Sequence, residues 1–379
     1  GHDRFPQALM ARYMTETAHS LGLELDELME LGREDSGHGA FTMTVLAIRL
    51  SRATNGVSEL HGAVSREMWQ HLWPDRAVGE VPIDHITNGI HVPTWVHPDV
   101  TATYGVDPDR IGLEGEPAPD PDADELWRVH GERRRALVEY VARRTGVELD
   151  PDAMTVAFAR RFATYKRATL LLGDLDRLDR IVNHPDRPVQ ILFSGKAHPK
   201  DEGGKALIAR IGEVARSPRF QGKIVFLPDY GIDVARELVQ GADVWLNNPR
   251  RPMEASGTSG MKAAMNGVLN LSVLDGWWDE AYRGRDTNAP APGWAIGAGA
   301  GARTRKAADR ADAEALYHTL EHEVAPAFYT RDETGMPTGW VARMQESIRQ
   351  VVPFFNTHRM LRDYTARYRA AAEETVATT

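Results

Sequence analysis

The sequence has 379 residues, 42% of them hydrophobic, enough to bury a sizeable core as roughly two domains or one large domain with an appendage. A net charge of −9 with both signs interspersed argues against nucleic acid or an anionic membrane surface as a partner. No apolar run is long enough to cross a bilayer, the start Gly1-His-Asp-Arg-Phe5 lacks a charged-then-apolar secretory signal, and the absence of cysteine excludes disulfides and thiolate chemistry, which together fit a cytoplasmic protein.

Residues 1 to 32 read as helical, with Leu9, Met10, Tyr13 and Met14, then Leu21, Leu23, Leu25 and Leu28, recurring at helical intervals; amphipathic packing accounts for them. Residues 40 to 50 read as a buried helix, and Ala53-Thr-Asn-Gly-Val57 as a turn. His61 follows on a helix with Trp69, Leu72 and Trp73, and a lone histidine in that setting is more often a packing residue than a catalytic one. The segment Ile83 to Trp95 gathers two histidines, an Asn-Gly turn and a tryptophan. Its Asn88 offers both a donor and an acceptor, as a sugar hydroxyl requires, while no set of carboxylates and histidines has metal-ligand spacing. Nine tryptophans are numerous; aromatic faces suit carbohydrate, but core packing is their commoner use.

Glu114 to Glu125 is acidic and proline-rich and reads as an exposed loop. The helix after it carries Leu126, Trp127, Val129, Leu137, Val138 and Val141 inward and Arg133, Arg134 and Arg135 on the wet face. From residue 153 strands and helices alternate. Met154–Phe158, Val189–Phe193, Ile224–Leu227, Val244–Leu246 and Val268–Leu274 read as strands. A helix after Tyr165 carrying Leu170 to Leu172, then Ala206–Val214, Val234–Val239 and Met261–Asn266, read as helices. This spacing predicts βαβ units and a doubly wound parallel sheet, an α/β fold. A helical tail is predicted from Trp340 to Ala371, with Val351, Val352, Phe354, Phe355, Leu361, Tyr364 and Tyr368 as its apolar residues.

Ligands of such sheets bind at the carboxyl ends of the strands. Arg160, Arg161, Tyr165, Lys166 and Arg167 leave the first strand, Gly195, Lys196 and His198 the second, Asp229 and Tyr230 the third, and Glu254 to Lys262 the fourth. In the last stretch, Ser256, Gly257, Thr258, Ser259 and Gly260 offer backbone N–H groups and hydroxyls at a helix start, a setting that favours phosphate. Lys262, one turn in, could neutralise a phosphate or, if desolvated, lose its proton and form a Schiff base with an aldehyde cofactor. At least five cations and a phosphate-cradling loop on one rim make two phosphate groups a reasonable expectation.

Glu254-Ala-Ser-Gly-Thr-Ser-Gly-Met-Lys262, Arg160-Arg-Phe-Ala-Thr-Tyr-Lys-Arg167, Asp229-Tyr-Gly-Ile-Asp-Val-Ala-Arg236 and Thr87-Asn-Gly-Ile90 together resemble the α-1,4-glucan phosphorylases, most closely their short bacterial branch. The resemblance spans essentially the whole chain. It implies a GT-B fold, with residues 1–92 a helical remnant of the amino-terminal domain and 93–379 the Rossmann-like carboxyl-terminal domain. It implies pyridoxal 5′-phosphate held by Lys262, with Gly257, Thr258 and Ser259 near its phosphate, Arg160 beside it where a lysine is common, and Tyr230 lining its pocket. Gly231 stands where long members have a basic residue. It further implies orthophosphate on Arg161 and Lys166, and glucosyl hydroxyls on Glu254 and Asn88. The activity implied is phosphorolysis of glycogen or maltodextrin with retention, giving glucose 1-phosphate, in a protein that can form a homodimer. Family members are far longer, so the chain is expected to be a carboxyl-terminal part that is inactive on its own. Two other readings stay open. A sugar-nucleotide glycosyltransferase would share the fold but want an acidic residue in place of Lys262, and a phosphate- or glucan-binding remnant would turn nothing over.

Overall fold

Met154–Ala159 (β1) and Val189–Ser194 (β2) are buried at every position, the pattern of strands covered on both faces. Ile224–Leu227 (β3), Val244–Asn247 (β4), Leu269–Val273 (β5) and Gly293–Ile296 (β6) complete a six-stranded sheet. Its order is β6-β5-β4-β1-β2-β3 and every pairing is parallel, so the winding reverses between β1 and β4. The structure, a computed structural model, describes residues 3–35, 38–113, 116–297 and 304–378. Gly1 and His2 of the amino-terminal stretch, and Glu114 and Gly115 of the acidic loop, lie outside them.

Because strand side chains alternate between faces, the sheet sorts its residues into two cores. Ala157, Ala159, Leu192, Val225 and Trp245 pack with Leu137 and Val141 of Ala123–Thr145 (α1) and with Val234 and Leu238 of Ile232–Gly241 (α4). Val156, Phe158, Ile191, Phe193, Leu246 and Leu271 face the other way. There they join Leu178 of Leu175–Val182 (α2), Ile211 of Glu202–Ala215 (α3), Met261 of Thr258–Met265 (α5), Trp277 of Trp277–Arg283 (α6), Leu316 of Arg305–Thr319 (α7) and Met344 of Thr338–Phe354 (α8). Side chains of Asp122, Asp174 and Asp201 accept the first free N–H groups of α1, α2 and α3 and so fix where those helices begin. All nine tryptophans are buried or half-buried.

The chain divides into two compact units, Gly1–Gly56 with Gly62–His85 and Tyr364–Thr379, and Val57–His61 with Ile86–Asp363. The sheet belongs to the second. In the first, helices Gln7–Ser20 and Leu25–Gly32 place Met10 and Met29 against Phe41, a residue of an antiparallel set of three short strands. The helical stretch of residues 1 to 32 is thus two helices, broken at Gly22 with φ +73°.

Several expectations are corrected. His38–Thr42 is a strand, and the helix after it, Met43–Leu50, buries Val45 and Ile48 but exposes Met43 and Leu50. Part of the turn at Ala53–Val57 is a strand, Thr54–Gly56, because it pairs in parallel with Ile83–His85. Leu170–Leu172 is a 3₁₀ turn rather than a helix; Asp174 caps α2 immediately afterwards and sets the true start. Arg134 is not on the wet face. Its guanidinium lies 3.1 Å from Asp243, which is fully buried, and donates to the carbonyl of Pro151. The acidic loop is only partly exposed, since Pro119 and Pro121 are buried. The tail splits into α8 and Thr357–Thr378 (α9), in which Val351, Val352 and Phe355 are buried while Phe354, Leu361 and Tyr368 stay exposed.

Candidate active site

The sheet's winding reverses between β1 and β4, and the crevice at such a point is where open α/β sheets bind ligands. The turn after β1, residues 160–167, and the turn after β4, residues 248–257, meet there. The N–H of Arg250 donates to the carbonyl of Tyr165 at 2.7 Å. The approach of backbones is close enough to demand glycine beside them: a Cβ on Gly195, just past β2, would lie 2.0 Å from the carbonyl oxygen of Arg160.

Arg160 and Lys166 from the first turn converge on Glu254 from the second. Lys166 Nζ lies 2.7 Å and Arg160 Nη1 3.1 Å from the same carboxylate oxygen, and all three residues are buried. Arg160 Nη1 nevertheless makes no hydrogen bond of good geometry, so its N–H is still available. Burial opposes ionisation of Glu254, but the charges of Arg160 and Lys166 outweigh it and hold its pKa below the usual carboxylate range. Lys166 is pulled down to about 8, mainly by burial and then by the charge of Arg160, against which Glu254 works. Arg161 is exposed, and its charge opposes the rise that burial gives the Tyr165 pKa, while Tyr230, whose own pKa burial raises, feels the charge of Arg160.

Gly257, at φ +85°, begins α5 without any side-chain cap, and Thr258 and Ser259 form its first turn. The Ser259 hydroxyl accepts from the Trp245 indole at 3.3 Å. Lys262 follows, half-buried, its Nζ 3.4 Å above the centre of the Trp95 ring. Burial lowers its pKa to about 8. Asn88 reaches the same loop, its side-chain amide donating to the Ser256 hydroxyl at 3.1 Å.

The other rim residues separate from this group. Arg167, counted among the rim cations from sequence, turns back into the framework: it is buried at φ +51°, pairs with Asp309 and Asp312 of α7 at 3.0 and 2.7 Å, and donates to the carbonyls of Asn248 and Pro249. Asp229 pairs with Arg144, and Lys196 and His198 are exposed. Two residues escaped the sequence reading. Trp95 was visible as part of an unusual segment, but nothing in the sequence joined it to Lys262. Asp275, at the carboxyl end of β5, is fully buried and accepts the N–H of Glu254 at 2.9 Å; an Asp-Gly pair after a strand reads only as a turn.

Comparison with known proteins bears on this arrangement. A model of the carbohydrate phosphorylase family matches residues 7–280. The chain is 44% identical to the maltodextrin phosphorylase of Thermococcus litoralis over 98% of its own length and 45% of the relative's. It is 42% identical to the glycogen phosphorylase of Aquifex aeolicus, covering 92% and 52%, and 41% identical to that of Mycobacterium tuberculosis, covering 99% and 46%. It therefore spans about half the length of the curated relatives it matches. With the winding reversal, the loop before α5 and this extent of identity in agreement, the chain belongs to the carbohydrate phosphorylase family.

Proposed function

We propose that this chain carries the cofactor- and phosphate-binding part of an α-1,4-glucan phosphorylase, which transfers a glucosyl unit from glycogen or maltodextrin to orthophosphate with retention and releases glucose 1-phosphate. The observation that carries the reading is a charge imbalance at the sheet's reversal point: the buried Arg160 and Lys166 share the carboxylate of Glu254, and the charge of Arg161 also acts on Lys166. A dianionic phosphate would restore the balance, and the Coulomb attraction is strongest where burial has lowered the local dielectric.

The residues present fit pyridoxal 5′-phosphate. Lys262 has an amine lowered to about 8, so a useful fraction is uncharged near neutral pH and able to join an aldehyde. The uncapped start of α5 at Gly257, Thr258 and Ser259 leaves N–H groups for a phosphate, Arg160 keeps an N–H without a partner, and Tyr230 lies within reach of the Arg160 charge. When bound, this cofactor would supply a phosphate group that passes a proton to and from the substrate phosphate.

The chain's own groups supply the rest. Arg161 and Lys166 would hold orthophosphate and offset the repulsion between two anions brought close together. Glu254, kept ionised by its two cations, would accept hydrogen bonds from glucosyl hydroxyls, and the Asn88 amide would add an acceptor beside it. The aliphatic and aromatic cover that lowers both lysine pKa values would also keep water from a glucosyl cation.

The test is direct. The purified chain, incubated with pyridoxal 5′-phosphate and dialysed, should keep an absorbance band of an aldehyde joined to an amine, and Lys262→Ala should abolish it. Release of glucose 1-phosphate from maltodextrin and orthophosphate, assayed in the longest form of the protein that can be prepared, should follow. Retention of the cofactor by Lys262→Ala, or its loss by the unaltered chain, would overturn the assignment.

A further inference from the structure

Glu254 owes its place to more than its own side-chain partners. Its main-chain N–H donates to Asp275 Oδ2 at 2.9 Å, and the other oxygen of Asp275 accepts from Gly276 N at 2.9 Å. The N–H of Trp277 donates to the carbonyl of Ser256 at 2.9 Å. Gly276 between them takes φ +54°, and a Cβ there would sit 2.3 Å from the Ser256 oxygen and 2.8 Å from that of Glu254. Asp275-Gly-Trp277, at the junction of β5 and α6, therefore grips Glu254-Ala-Ser256 by its backbone.

We propose that Asp275 is a positioning residue of this site: its carboxylate anchors the Glu254 main chain so that the Glu254 side chain stays between Arg160 and Lys166. What that positioning serves rests on the phosphorylase reading; the positioning itself does not. A strand-end aspartate that merely capped a turn would need only its bond to Gly276. Asp275 spends its second oxygen on the residue whose carboxylate Arg160 and Lys166 share, and it is completely buried while doing so. The groups facing it are few. Burial raises its pKa to about 7, the Glu254 and Gly276 N–H groups lower it, the Glu254 charge raises it and the Arg251 charge lowers it. A buried carboxylate held largely by main-chain N–H groups is costly to keep, and a neutral side chain would avoid that cost if a turn were all that was needed.

The readout is Lys166, whose amine responds to the presence of Glu254 and also to Arg160 and Arg161. Lysine labelled at Cε and Nζ is followed by NMR across pH 6 to 11 in the chain as it stands, with Lys166→Arg assigning the signal. Asp275→Asn places an amide where two donors already point, releases the Glu254 backbone and withdraws its carboxylate from Lys166. Lys166 should then become a stronger acid by about tenfold, the effect of losing one close ion pair. Glu254→Gln should give a fall at least as large, and Asp275→Asn should add nothing to it. A site that had simply loosened and filled with water would move Lys166 the opposite way, toward 10.5, and that result would overturn the proposal. So would an unchanged Lys166, or an Asp275→Asn effect that persists in the Glu254→Gln background. If Asp275→Asn does not fold, the unaltered chain decides. The Asp275 carboxyl carbon, the Glu254 amide and the Glu254 carboxyl carbon should share one transition between pH 4 and 8, and a Glu254 side chain indifferent to that step refutes the idea. None of these signals needs bound cofactor or turnover, so an unaltered chain that fails to keep pyridoxal 5′-phosphate defeats the functional reading and leaves this one standing.

Discussion

Replacing Lys166 by methionine removes the ammonium and keeps most of the stem, and the structure gives a definite sign for the effect on stability. The bond to Glu254 at 2.7 Å is charge-assisted, of a kind that contributes about 1.5–3 kcal/mol, which argues for destabilisation. The amine is nevertheless pulled from 10.5 to about 8 with that bond in place. Burial and the neighbouring charge of Arg160 therefore outweigh Glu254, and the protonated form is worse off folded than unfolded by about 3 kcal/mol. Arg160 remains at 3.1 Å to hold Glu254 ionised in the variant. Lys166→Met should accordingly be neutral or up to about 3 kcal/mol more stable than wild type at pH 7.

The pH dependence isolates the cause. Below pH 8 Lys166 is protonated in both folded and unfolded chains, and its penalty is fully present. Between pH 8 and 10.5 the unfolded chain binds a proton that the folded one does not, so wild-type stability climbs with pH through that window. The methionine variant lacks this climb, and the gap between the two proteins should narrow as pH passes from 8 to 10.5. Urea unfolding followed by tryptophan fluorescence at pH 7, 9 and 10.5 measures it. A variant destabilised by more than about 1 kcal/mol at pH 7, or a gap that does not change with pH, would refute the reasoning.

Two further outcomes are expected. Trp95→Ala should raise the pKa of Lys262 from about 8 toward 10.5, because the ring's contribution as cover exceeds its attraction for the ammonium at 3.4 Å; the pH profile of amine acylation, mapped to Lys262 by mass spectrometry, reads it, and an unchanged or lower value would count against burial as the cause. Asp243→Asn should destabilise by about 3–5 kcal/mol, since Arg134, at 3.1 Å from Asp243, would lose its buried counter-charge and the 2.8 Å hydrogen bond of His130 would lose its charged partner. Burial pushes the Asp243 pKa up, but Arg134 and the His130 bond hold it below the ordinary range. Its stabilisation is thus present above the unfolded pKa and lost as pH falls through the folded one, and chemical unfolding should show the difference between variant and wild type shrinking below about pH 4.

The sheet was legible because five of its strands are mostly apolar and buried at nearly every position, the pattern of strands covered on both faces. The sixth, Gly293–Ile296, is four residues long and opens on glycine, so its pattern does not rise above that of a loop. Leu170 to Leu172 misled for the opposite reason. Three leucines in a row suit a helix, yet Asp174 caps the next helix so soon afterwards that only a 3₁₀ turn fits between. Periodicity marks which side of α1 faces inward but cannot know that Asp243 waits beneath one arginine of that helix, and so Arg134 was read as wet.

The same limit explains how the basic residues of the rim divide. Arg160, Arg161, Lys166 and Arg167 stand within eight positions, and the sequence offers no ground for separating them. Partner supply does. Arg167 meets two carboxylates of α7 and is fully compensated, which makes it part of the frame that holds the turn. Arg160 and Lys166 must share Glu254, and Arg161 has no ion pair among the described residues. A buried cation without its own counter-charge is unfavourable unless something else provides one, so the imbalance itself marks where an anionic ligand would be stabilised. On this argument the residues most worth mutating are those whose charge the fold leaves unanswered, together with Asp275, which holds in place the one carboxylate they share.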